Sequence, residues 1–280
     1  MQDHYRGTFE SVVLEIGGVV IFAGIMTALS RFVQPSFGPL ALIVVGVLLA
    51  LVPAVLWLVA FYRQDRLEPE PRQYVIGIFL LTMLLAQSVG QPLIRNVFGV
   101  QNLTGGGLLT EWLVLVLVVG LIQTFVIYAA VRYTIFRSAE FDQRVDGIIY
   151  GASAALGYAT LLNIQYIVGN NGVDIGVGAV RVAVQALSFA AFGGVLGYFL
   201  GRAKFDNMGA LWLPAGLLVG ALLNGSVSLL LQEITTIGSL SFNPWYGLVA
   251  ATIIAGSVFA GLLRTIQQLN AATPLTGGAR

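Results

Sequence analysis

The stretch FDQRVDGIIYGASAALGYATLLNIQYIVG, Phe141–Gly169, decides the fold. Charged residues crowd its first six positions, at Asp142, Arg144 and Asp146, and none follows from Gly147 to Gly169. An uncharged, mostly apolar run longer than ~18 residues reads as a membrane-spanning helix. Asp146 falls at its start, where a carboxylate complements the helix dipole. Outward from this stretch the pattern repeats. Apolar runs near 11–30, 38–62, 75–98, 108–136, 176–200, 208–232 and 244–266 join 146–168 to give eight predicted spans.

Composition agrees. Of the 280 residues, 57% are hydrophobic and 10% charged, whereas a soluble domain carries about 25% charged residues. Mean hydropathy is +0.87. The expected fold is therefore all-α, a polytopic transmembrane helical bundle of about eight spans, forming one integral membrane domain over 1–280. The first span is the weakest, because Glu15 interrupts it. It does not read as a signal peptide: residues 1–10 are not clearly basic and no small-x-small site follows. The net charge of +1 implies no nucleic-acid partner. With no Cys, disulfides, thiolate metal sites and cysteine nucleophiles are excluded.

Arg and Lys set the expected orientation. Arg6, Arg63, Arg66, Arg72, Arg137, Arg144, Arg202, Lys204, Arg264 and Arg280 fall on one side, with Arg132 one turn further into the membrane. Arg31, Arg95 and Arg181 fall on the other. The positive-inside pattern then places both termini in the cytoplasm of a prokaryotic inner or plasma membrane. The cytoplasmic loop Arg63–Arg72 is charged, and its Pro69 and Pro71 cannot continue a helix.

Four stretches carry a resemblance. They are PAVLWLVAFYRQDRLEPEP (53–71), the 141–169 stretch, RVAVQALSFAAFGGVLGYFLGRAKF (181–205) and LLNGSVSL (222–229). Together they resemble the PrsW family of intramembrane proteases over roughly 50–230. The resemblance divides the chain into an additional first helix (1–37), a PrsW-like core (38–232), and a last helix with its tail (233–280). It implies a site built on acidic and histidine residues. The family's Glu-Glu-x-x-Lys motif, about eighteen residues before the Phe141–Asp142 pair, falls on Gln123, Thr124 and Ile127. Its Gly-Phe-Ala-x-x-Glu-Asn helix reads Gly157-Tyr158-Ala159-Thr160-Leu161-Leu162-Asn163 here, so Leu162 replaces the Glu. The family His falls on Phe189. The final His-x-x-x-Asp/Asn motif falls on Asn224 and Ser228.

Peptide hydrolysis needs an activated water or nucleophile and a proton donor for the leaving amine. Glutamate and histidine supply these directly or as metal ligands, whereas Gln, Thr, Leu, Phe and Asn do not titrate near neutral pH. The only His is His4, and the only Lys is Lys204, so neither a Ser-His triad nor a mid-membrane Ser–Lys dyad is expected. From these substitutions the sequence is expected to specify no enzyme, but a catalytically inactive PrsW-like protein. Such a protein would use no metal and no cofactor, and would act as a partner-binding or structural subunit of a membrane complex, among membrane lipids. An active PrsW-type protease with noncanonical residues is the alternative, and a small-molecule carrier a further one.

The remaining polar residues expected at mid-membrane are Gln123, Thr124, Asn163, Gln185 and Asn224, the candidate lining of the family's substrate cavity. Three stripes of small residues suggest close helix packing: Gly147, Gly151 and Ala155; Gly193, Gly197 and Gly201; Gly216 and Gly220, continuing to Asn224 and Ser228.

Overall fold

The computed structural model describes residues 2–32, 38–64, 71–103, 106–236 and 243–272. Arg66, Pro69 and Arg280 lie outside them, as do the side chains of His4, Arg6 and Arg63. The described residues form helices and connecting turns, with no strand among them. In chain order the helices are α1 (Gln2–Phe32), α2 (Pro39–Gln64), α3 (Arg72–Leu85), α4 (Leu108–Val114), α5 (Leu121–Tyr133), α6 (Asp146–Gly169), α7 (Ile175–Phe205), α8 (Trp212–Thr236) and α9 (Pro244–Ala272). The last turns of the α3 span are wide π-helical ones, Ala86–Gly90 and Leu93–Val97, and the turn Leu115–Gly120 fuses α4 and α5 into one rod. Among the described residues, eight spans are long and apolar enough to cross a membrane. The protein is an all-helical integral membrane protein.

The central pair is α6 and α7. Of the α6 span 89% is buried, against 17% for that of α1, because α6 is the element that other helices surround. Its glycine stripe explains how α7 can lie so close. A Cβ on Gly147 would collide with the Gly197 carbonyl, and one on Gly151 with the Gly193 carbonyl. The reverse collisions hold for Gly193 and Gly197, and Gly201 meets the Arg144 carbonyl. Glycine here lets two backbones touch, which is how helices associate where lipid removes the hydrophobic drive. Gly216 meets the Phe199 ring and Gly220 the Thr124 methyl, so the third stripe seats α8 on α7 and α5.

Two apolar clusters flank the central pair. One joins α1, α2, α7 and α9 through residues such as Val19, Trp57, Leu187 and Phe259. The other joins α3, α5, α6, α7 and α8 around Ile127, Tyr150, Tyr158 and Phe189. A thick apolar rim faces outward, including Leu14, Ile21, Phe32, Leu40, Leu117 and Ile253, as expected for surfaces solvated by lipid.

The opening hexapeptide of the 141–169 stretch closes one end of the bundle. The Asp146 carboxylate accepts from the backbone N–H groups of Asp142 and Gln143 at 2.8 and 2.6 Å. Arg144, 1% exposed, pairs with Asp206 at 2.8 Å, and Arg202 joins from one turn before Asp206. Burial alone would raise the Asp206 carboxyl, but the hydrogen bonds and charges of Arg144 and Arg202 hold it below its ordinary value. Phe141 stacks on Tyr150 and Phe205, and Lys204 donates to the Ser138 carbonyl. At the other end α6 turns into α7 through Asn171 and Gly172, both at positive φ. Asp174 then caps α7 by accepting from the Val177 N–H at 2.9 Å.

Candidate functional site

The site lies in the second apolar cluster, where α3, α5, α6 and α8 converge. Asn224 Nδ2 on α8 donates to Gln123 Oε1 on α5 at 2.8 Å, and Ser228 Oγ donates to Asn224 Oδ1 at 3.3 Å. Gln91, on the α3 span, donates to the Tyr158 hydroxyl of α6 at 3.4 Å. Gln123 borders the same hydroxyl. A chain of neutral polar groups thus runs Gln91–Tyr158–Gln123–Asn224–Ser228 through an apolar interior. Gln91, Gln123 and Asn224 are buried, and each amide carries more than one hydrogen-bonding group.

Local backbone geometry aims these side chains. The wide turn Ala86–Gly90 directly precedes Gln91, and Leu115–Gly120 ends three residues before Gln123. Such turns are rare and recur at functional sites, because an extra residue re-aims the face that follows. Gly90 leaves room for the Tyr158 hydroxyl, which a Cβ there would meet at 2.6 Å. Gly120 does the same for the Ala221 carbonyl, also at 2.6 Å, bringing α8 against the rod.

The structure brings Gln123, Thr124, Asn224 and Ser228 together. Thr124 is buried, with its methyl against Gly220, and its hydroxyl has no hydrogen-bond partner among the described residues. Ile127 is packed in the core one turn on. Phe189 stacks on Tyr158, centroids 5.7 Å apart and planes 22° apart. Leu162 is partly buried in the same cluster. Asn163 is buried, and Gln185 lines a cavity together with Ser188 and with Ser228 of the hydrogen-bonded chain. That cavity, about 590 Å³, runs from Asp174 and Pro244 inward to Phe189 and Ser228.

Two members of the chain were not among the sequence candidates. Tyr158 stands where the resembled motif has Phe, one turn from the Leu162 that replaces its Glu. A hydroxyl is gained next to a carboxylate lost, and that was visible in the sequence. Gln91 had no such signal. Glu15 was read only as an interruption of the first span, yet it is 2% exposed on α1 and its carboxyl oxygens have no hydrogen-bond partner among the described residues.

Comparison with known proteins identifies the family. The family model of the PrsW family intramembrane metalloproteases matches residues 70–259. The chain is 31% identical over 203 residues to Protease PrsW of Bacillus subtilis (strain 168), covering 70% of this chain and 89% of that one. It is 33% identical over 153 residues to Protease PrsW of Geobacillus kaustophilus (strain HTA426), covering 55% and 64%. With Protease PrsW of Clostridioides difficile (strain 630) it shares 28% over 190 residues, covering 66% and 78%. No solved structure matches. These findings correct the expectation that the chain is no enzyme. The relatives are named as proteases and are matched over most of their length, and nothing in the fold shows this member to be inactive. Two of the uncharged motif positions, Gln123 and Asn224, meet by a hydrogen bond. The chain belongs to the PrsW family of intramembrane metalloproteases.

Proposed function

We propose that this protein is an intramembrane protease of the PrsW type whose site holds the scissile peptide group with the Gln123–Asn224 amide pair. One observation carries the reading: two motif positions 101 residues apart in sequence meet by a 2.8 Å hydrogen bond inside the bundle. Asn224 Nδ2 keeps one N–H beyond the one used in that bond, and Gln123 accepts there through Oε1, so none of its own amide N–H groups is spent on it. These N–H groups can donate to a peptide carbonyl as water adds to its carbon and negative charge develops on its oxygen, a proton of that water passing to the leaving amine nitrogen as the C–N bond breaks. In a dry site such donors act more strongly than in water and need no reorganisation. Tyr158 and Ser228, in the same polar chain, and Thr124, the residue after Gln123, add neutral hydroxyls that can donate or accept a proton.

A metalloprotease family implies a metal. Catalytic zinc takes imidazole and carboxylate ligands. Among the described residues no group of three or more His, Cys, Asp or Glu comes together, and the amides and hydroxyls here are neutral. These residues do not fit a zinc centre.

Both termini are proposed to face the cytoplasm, from the Arg and Lys distribution. A Cys introduced at Arg72 that reacts only from the opposite side would contradict that orientation.

The test of function is cleavage of a panel of single-span substrates by the purified protein in lipid vesicles. Wild type is expected to cleave. Changing Gln123 and Asn224 together to Ala is expected to slow cleavage by ~10²-fold or more, the range for losing an oxyanion donor. Equal cleavage by the double variant, or none by wild type across the panel, overturns the proposal.

A further inference from the structure

Beyond proteolysis, we infer that the cavity between α6, α7, α8 and α9 is a binding site for one anionic phospholipid, its phosphate on Arg181 and its acyl chains directed toward Phe192. The cavity measures about 590 Å³, within the ~300–1,000 Å³ of ligand sites. It has one cation among its described lining residues, Arg181, whose guanidinium lies 3.6 Å from the centroid of the Tyr166 ring. No ion pair to Arg181 is present among the described residues.

Depth fits a lipid. Helix α7 has 31 residues and is about 46 Å long at 1.5 Å per residue, against a hydrocarbon core of about 30 Å. If α7 is centred, its first five or so residues overhang, and Arg181 falls at the boundary between headgroup and hydrocarbon. From Arg181 to Phe192 is about 16 Å along the helix, close to the ~15 Å thickness of one leaflet.

A second observation points to a ligand. Ser188 lines the cavity, is 4% exposed, and its hydroxyl has no hydrogen-bond partner among the described residues. Thr27, Ser88 and Ser153 satisfy their hydroxyls on the carbonyl four residues earlier. Ser188 does not, and its hydroxyl is left for an ester oxygen or a glycerol-side group of the lipid. Asp174 also lines the cavity, but its carboxylate is engaged as the α7 cap.

The test is native mass spectrometry of the full chain from bilayer discs of equal phosphatidylglycerol and phosphatidylcholine. One phosphatidylglycerol retained per chain is expected, preferred over phosphatidylcholine by roughly fivefold, the factor carried by one interfacial cation. Arg181→Gln should abolish the preference, Arg181→Lys should keep it, and Asp174→Asn, which still caps the helix, should keep or raise it. Circular dichroism and elution volume separate misfolding from lost binding. The proposal fails if no lipid is retained, or if correctly folded Arg181→Gln keeps the preference. It also fails if millimolar inorganic phosphate removes the lipid, which would make the site one for a free anion. Stoichiometric displacement by a single-span peptide fails it too, assigning the cavity to a polypeptide.

Discussion

Replacing Gly151 by Ala tests how α6 is held. The added Cβ would collide with the Gly193 carbonyl and sit 2.9 Å from Gly197 Cα and 3.0 Å from Gly197 N. All three are backbone atoms of α7, so no side chain can rotate away and the helices must separate. Overpacking of this kind costs about 1–3 kcal/mol. Against it stands the gain of about 0.5–1 kcal/mol for Ala over Gly inside a helix. The net expectation is a loss of about 1–2 kcal/mol. Gly17 and Gly256 are the controls, since a Cβ at either finds nothing within 4 Å, and Ala there should be neutral or stabilising by up to about 1 kcal/mol. Unfolding equilibria in bilayer discs, read by steric trapping, give these differences directly. If Gly151→Ala were as stable as Gly17→Ala, backbone contact between α6 and α7 would not be what holds the bundle centre.

Two further outcomes follow from the charged groups. Asp206→Asn is expected to cost about 3 kcal/mol, the range for breaking a buried pair, because Arg144 is 1% exposed. The Asp206 carboxyl is held below its ordinary value when folded. Its contribution is therefore complete above the unfolded value of about 3.9 and is lost as pH falls through the lower folded value. Acid unfolding curves should show this loss below about pH 4 in wild type and not in Asp206→Asn. Glu15→Leu is expected to stabilise the protein by about 1–3 kcal/mol, since a buried carboxyl without a hydrogen bond gives way to an apolar side chain. A fall in stability, measured by the same steric trapping, would contradict that.

The spans were legible because the bilayer imposes one strong requirement, length without charge. Asp146 marked the start of α6, and its run ended within a residue of the observed helix. Helix ends were less legible where polar residues continue a helix beyond the apolar run. Helix α1 begins at Gln2 and α7 runs to Phe205. Helix α8 starts at Trp212, later than the apolar run, with Pro214 in its first turn where proline is tolerated. The motif positions were legible as positions but not as a geometry. That Gln123 and Asn224 would bond depends on the wide turn Leu115–Gly120 and on Gly220 and Gly225 admitting the α4–α5 rod. A π-helical turn leaves no mark in hydropathy. The inference of inactivity failed for a related reason. Residue types taken singly pointed to inactivity, whereas the family match spans 70–259; of the substituted positions Gln123, Asn224 and Ser228 are joined by hydrogen bonds, while Ile127, Leu162 and Phe189 pack in the apolar cluster.

The most direct measurement of the central claim is mass-spectrometric mapping of products after incubating the purified protein with single-span substrates in lipid vesicles. The account predicts new termini inside the substrate's membrane-spanning segment, lost when Gln123 and Asn224 are both Ala. Intact substrate across the panel, or the same termini from the double variant, would contradict it.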